Sequence, residues 1–117
     1  MGDNVIYDKS YVFAIRVVRL YKYLVGEHKE YVLSKQVLRS GTATGALVRE
    51  AKFAQSKADF VSKMSIALKE ANETSYWLDL LHDTNYINQK MHKDINSDIN
   101  ELISLLASIV KSSKNNS

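Results

Sequence analysis

Apolar positions recur every three or four residues along most of this 117-residue chain, and four amphipathic helices follow from that period. The first is predicted from about Asp8 to Val25 and stops at Gly26, placed as a C′ glycine. The second runs from about Lys29 to Gln55. The third opens at "SKAD", where Ser56 and Asp59 have capping-box spacing, and runs from about Lys57 to His82. A polar turn, "DTNYIN", leads into the fourth, from about Gln89 to Val110, and the polar tail "KSSKNNS" is expected to fray. The fourth pattern is the clearest, with Met91, Ile95, Ile99, Leu102, Leu106 and Ile109 on one stripe. In the third, Phe60, Met64, Ala67, Leu68, Ala71, Ser75, Leu78 and Leu81 share a face. Connections this short force neighbouring helices antiparallel, so the pattern predicts an all-α, up-down-up-down four-helix bundle, one domain over residues 1–117.

Two helices carry more apolar surface than one core requires. At roughly 100° per residue, helix 1 groups Phe13, Ala14, Val17, Val18, Leu20, Tyr21, Leu24 and Val25 on a broad arc. Val12, Ile15 and Tyr23 are left on the side with Arg16, Arg19 and Lys22. In helix 3, Ile66, Tyr76, Trp77 and Leu80 point away from the Phe60 stripe, where only the stems of Lys69 and Glu73 could cover them. Apolar groups outside the core predict self-association, with Ile66, Trp77 and Leu80 in the contact.

The chain has no proline and four glycines, which favours helix and makes the stretch "RSGTATGALVRE" conspicuous. On the wheel of helix 2, Leu33, Val37, Ser40, Thr44, Val48 and Ala51 face the core, and Gly41 and Gly45 flank that stripe one turn apart. Such spacing lets a second backbone approach closely, which places both glycines at an oligomer interface; a bend in a long helix is the other reading. Lys35, Arg39 and Arg49 lie opposite the core stripe as a short basic ridge, suited to phosphate. An ordinary solvated face, or ion pairs to acids such as Glu70 and Glu73, would use the same residues. No aromatic residue interleaves with this ridge and no nucleic-acid motif is present.

Charge permits an acidic partner without demanding one: Lys and Arg total 16 against 13 acids, for a net charge of +3. There is no cysteine, so disulfides, thiolate metal sites and cysteine nucleophiles are excluded. No apolar run approaches the roughly 18 residues of a membrane helix, and the N-terminus lacks the order of a signal peptide. No membrane association and a cytoplasmic location are the expectation. A di-metal carboxylate bundle needs Glu-x-x-His pairs, and none precedes His28, His82 or His92. His82 and His92 flank the polar turn and read as solvated. With no phosphate loop and no nucleophile motif, the expectation is a protein that is not an enzyme and holds no metal or cofactor.

The stretches "KQVLRSGTATGALVREA" and "SKADFVSKMSIALKEANETSYWLDLL" resemble the four-helix-bundle proteins encoded in intervening sequences of bacterial 23S ribosomal RNA genes. That family reads approximately Gln-x-x-Arg-Ser-Gly-Thr-Ser-x-Gly-Ala-Asn-x-x-Glu-Ala around helix 2. Gln36, Arg39, Ser40, Gly41, Thr42, Gly45, Ala46, Glu50 and Ala51 match it, while Ala43 and Leu47 replace the common Ser and Asn. In helix 3 the match runs through Lys57, Ala58, Asp59, Phe60, Ile66, Ala67, Lys69, Glu70, Ala71, Glu73, Tyr76, Trp77 and Leu78. The opening "DKSYVFAIRVVRLY" also fits, so the resemblance covers about residues 5 to 110. It implies an antiparallel four-helix bundle. Similar proteins include the accessory factor of diversity-generating retroelements, a homopentamer whose basic surface engages nucleic acid and a reverse transcriptase. The resemblance therefore adds a pentamer as the first expectation for subunit number.

The combined expectation is a homo-oligomeric bundle that binds RNA or DNA through Lys35, Arg39 and Arg49 on helix 2 and Arg16, Arg19 and Lys22 on helix 1. The alternative is a protein-interaction module with no nucleic-acid role.

Overall fold

The structure, a computed structural model, describes residues 2–115; the side chains of residues 2–4 fall outside the description, as do Met1 and the last two residues of the tail. It contains four helices: α1 (Gly2–His28), α2 (Leu33–Lys52), α3 (Lys57–Asp83) and α4 (Gln89–Asn115). Each packs on its neighbour in sequence, and α4 closes the ring against α1, leaving α1 and α3 on one diagonal and α2 and α4 on the other. The bundle measures 47 × 21 × 19 Å. The short connections over residues 29–32, 53–56 and 84–88 reverse the chain each time, as expected for up-down-up-down topology.

The core follows the stripes. Ile6, Phe13, Val17 and Leu24 of α1 meet Val37 and Val48 of α2, Met64, Leu78 and Leu81 of α3, and Ile99, Leu102 and Leu106 of α4, all fully buried. Each such side chain contributes about 1.5–3 kcal/mol on leaving water. At the α2–α3 contact the core is polar and small-celled. Thr74 Oγ1 lies 2.8 Å from both Ser40 Oγ and Glu70 O, and Thr44 Oγ1 donates to Ser40 O at 2.9 Å. Thr74 takes the buried place expected of Ser75, and Val18 is exposed rather than part of the core arc.

Helix ends depart from the pattern in several places. The α1 helix begins well before Asp8 and runs through Gly26 to His28. Lys29, at φ 53°, takes the left-handed position expected of Gly26, and Glu30 N–H closes on Leu24 O at 3.1 Å. The α2 helix is shorter than predicted because Glu30 ends the turn and starts the next helix. Its carboxylate accepts from the N–H groups of Val32, Leu33 and Ser34 at 3.1, 3.0 and 2.7 Å, while Ser34 Oγ donates to Glu30 O at 2.7 Å. Burial raises the Glu30 pKa, but these hydrogen bonds outweigh it and hold the carboxyl below its ordinary value. In α3 the cap is as read: Ser56 Oγ accepts from Asp59 N–H at 3.0 Å. Finally, α4 starts on an Asn88 cap to Met91 N–H at 2.9 Å, and its helix continues through the tail as far as Asn115 instead of fraying after Val110.

Candidate nucleic-acid interface

The glycine pair has an answer within the chain. A Cβ on Gly41 would lie 2.7 and 2.9 Å from the two methyls of Val17, and one on Gly45 would lie 3.1 Å from Ser10 O. Both glycines let α1 approach α2. The close-contact seam they form lies at the α1–α2 crossing within one chain.

The six predicted cations separate into two groups. Arg39 is turned to α3, where its guanidinium bridges Glu70 Oε1 at 3.1 Å and Glu73 Oε2. Glu73 Oε2 also accepts from Trp77 Nε1 at 2.9 Å, and that bond, followed by Arg39, holds the Glu73 carboxyl below its usual pKa. Arg39 is a strut between α2 and α3, the ion-pair reading of the ridge. The Trp77 indole is half-buried against the core and tied to Glu73. Arg16 is likewise committed, to Asp98 of α4, with Asp94 O 3.5 Å away. Lys9 and Glu101 add a second α1–α4 pair at 3.0 Å.

Lys35, Arg49, Arg19 and Lys22 have no carboxylate partner among the described residues. Lys35, Arg19 and Lys22 are exposed. Arg19 borders a groove of about 330 Å3 between α1 and α4. Arg49 instead lies over the Tyr11 ring, 5.4 Å from its centroid, and Lys52 over the Tyr7 ring at 5.2 Å. Aromatic and basic residues do interleave, across two helices: Tyr7 and Tyr11 are one turn apart on α1, and Arg49 and Lys52 face them from the last turn of α2. They line a mostly apolar groove of about 380 Å3, bordered by Gly45.

Two further surfaces matter. The exposed side of α1 carries Val5, Val12 and Ile15, and the exposed side of α3 carries Ile66 and Tyr76, while Leu80 is half-buried. At the α3–α4 turn, His82 and His92 stack 4.5 Å apart; His92 Nε2 lies 2.8 Å from Asp79 and His82 Nδ1 3.1 Å from Asp83. Both rings are partly covered, in place of the solvated histidines expected. Among the described residues no group of three or more His, Cys, Asp or Glu side chains is placed to hold a metal. No described helix is long and apolar enough to cross a membrane.

These features define an antiparallel four-helix-bundle protein whose surface chemistry is cationic and aromatic. The chain belongs to the 23S rRNA-intervening sequence protein family, whose family model matches residues 2–108. It is similar to a solved structure of a protein of unknown function from the S23 ribosomal protein family of Bacteroides thetaiotaomicron. The two share 59% identity with a TM-score of 0.93, over 95% of this chain and 99% of that one. Among curated proteins nothing matches.

Proposed function

We propose that this protein is a non-enzymatic, homo-oligomeric bundle that binds RNA or DNA through the cations its own carboxylates leave uncommitted. The observation that carries the reading is the division of the basic residues. Arg16 and Arg39 are spent on ion pairs, whereas Arg49 is held on a tyrosine face with no carboxylate partner among the described residues and Lys35 projects from the same helix. A phosphate contact needs free donors of this kind. A few cations bind weakly, and repetition of the set around an assembly multiplies the effect. Self-association is supported by exposed apolar groups on the diagonal helices α1 and α3, which offer two different faces on opposite sides of the bundle. Two unlike faces favour a head-to-tail contact, and such contacts close into rings when the rotation allows. Five subunits is the number the family resemblance suggests.

The test is charge reversal. Lys35→Glu with Arg49→Glu removes two uncommitted cations and no core group, so the fold should persist. Binding to a mixed-sequence RNA at low salt should be lost, and with it the steep salt dependence of the wild type. Equal binding by the double variant, or no binding by the wild type at low salt, refutes the nucleic-acid reading and moves a protein partner ahead. Light scattering should give a mass several times 13.3 kDa; a monomer at micromolar concentration refutes the oligomer.

A further inference from the structure

We infer that the α1–α2 groove seats one nucleotide of a single strand, its base against Tyr7 and Tyr11 and its phosphate on Arg49 and Lys52. This inference rests on the nucleic-acid reading above and sharpens it. Residues four apart on a helix share a face, so Tyr7 and Tyr11 stand one turn apart on the same face of α1. Tyr11 is 55% exposed, and because Arg49 lies over one face of its ring, a base lies against the face and edge that the guanidinium leaves open. The wall opposite is α2, and it is cut back there by Gly45 and Ala46, with Ala14 facing them from α1. Small side chains on both walls are what leave about 380 Å3 open, within the roughly 300–1,000 Å3 of small-ligand sites.

The lining suits a flat ring that carries an anion. A bare hydrated phosphate gains nothing from an apolar floor, whereas a base loses water against it and stacks. The cations then meet the phosphate at the rim. A guanidinium resting on a ring uses its face, so the N–H donors of Arg49 in the guanidinium plane stay available for a forked contact with phosphate oxygens. Arg49 and Lys52 stand in the last turn of α2, where the helix carbonyl ends favour positive charge, which explains cations there without carboxylate partners. Glu50 also lines the groove. Its carboxylate can accept the ring N–H of a uracil or thymine edge and repels a second phosphate on that side. A paired duplex cannot use this groove, because its base faces are already covered by stacking. The chemistry selects single strands, with the base providing contact and the phosphate providing charge.

The experiment compares a labelled oligouridine, the matching oligothymidine and a short duplex by fluorescence anisotropy, using the full chain. Stacking is worth about 1–3 kcal/mol per base, so Tyr11→Ala should weaken single-strand binding at least about 5-fold. Tyr11→Phe keeps the ring and should retain affinity. Ala46→Leu fills the groove from an exposed position and should weaken binding like Tyr11→Ala, with circular dichroism unchanged in all three variants. Weakening of both strands by Tyr11→Ala supports the seat whichever strand the wild type prefers. If the wild type binds strands and duplex equally and Tyr11→Ala changes neither, the seat is overturned while the cationic reading stands. No binding by the wild type at low salt overturns both. If Ala46→Leu lowers the mass of the assembly and leaves oligonucleotide binding untouched, the groove is a subunit contact and the seat is overturned.

Discussion

Replacing Gly41 with alanine inserts one methyl into the α1–α2 seam. The new Cβ would stand 2.7 Å from Val17 Cγ2, 2.9 Å from Cγ1 and 3.2 Å from Cβ. Turning Val17 about χ1 exchanges its methyls but leaves its Cβ in place, and a valine in a helix has one strongly preferred rotamer. The helices must therefore separate locally. Overpacking of this kind costs about 1–3 kcal/mol, and the better helix propensity of alanine returns about 1 kcal/mol. The net expectation is a destabilisation of about 0–2 kcal/mol, read as a lower Tm in thermal melts followed by circular dichroism. Gly26→Ala is the control, because nothing lies within 4 Å of a Cβ there. It should stabilise by about 0.4–1 kcal/mol. A double-mutant cycle with Val17→Ala isolates the contact: Gly41→Ala should cost less when the valine methyls have been removed than in the wild type. Equal rises in Tm for Gly41→Ala and Gly26→Ala would refute the seam.

Two other consequences are accessible to simple measurement. Glu30 has a folded pKa below its unfolded one, so the native state binds fewer protons and the contribution is full above the ordinary glutamate range and lost as pH falls through the folded value. Glu30→Gln should flatten the acid limb of the stability–pH curve and lower stability at neutral pH by about 0.5–2 kcal/mol, the usual worth of an N-terminal cap; an unchanged curve in chemical denaturation counts against the capping role. Arg39→Ala removes the α2–α3 strut, but the strut is half-exposed and screened, so stability should fall by no more than about 1 kcal/mol with the assembly mass unchanged; a drop in mass by light scattering would place Arg39 between subunits instead.

The stripes of α3 and α4 were legible because periodicity reports which side of a helix meets the core, whatever lies opposite. Ser56 was legible because a cap and its recipient are three residues apart. Arg16 and Asp98 were not: a helical wheel gives a direction on one helix and nothing about the height of the neighbour it meets. The same limit hid the aromatic–cation pairing, since Tyr7 and Tyr11 belong to one wheel and Arg49 and Lys52 to another. Gly41 and Gly45 were correctly read as a place of close approach, but the wheel could not say whether the approaching backbone was α1 or another chain. Glu30 was hidden for another reason. It sits in a connection, where no period exists, and its partners are backbone groups of the residues that follow it.

The order in which helices touch has a kinetic meaning. Three of the four interfaces join helices that are adjacent in the chain, and each forms by closing a short loop. The fourth, between α1 and α4, unites the two ends of the sequence and is partly stitched by Lys9–Glu101 and Arg16–Asp98 on its surface. Assembly along the chain can proceed by local zipping, with this last seam completing the barrel of helices. The same seam is then where the bundle opens most readily. Because its stitches are partly exposed charge pairs, dissolved salt loosens this opening more than it loosens the interior. Ionic strength therefore acts on the molecule's breathing where charge pairs cross an edge, at α1–α4 and at the Arg39 strut, and not at the α1–α2 edge, where two glycines bring the helices together.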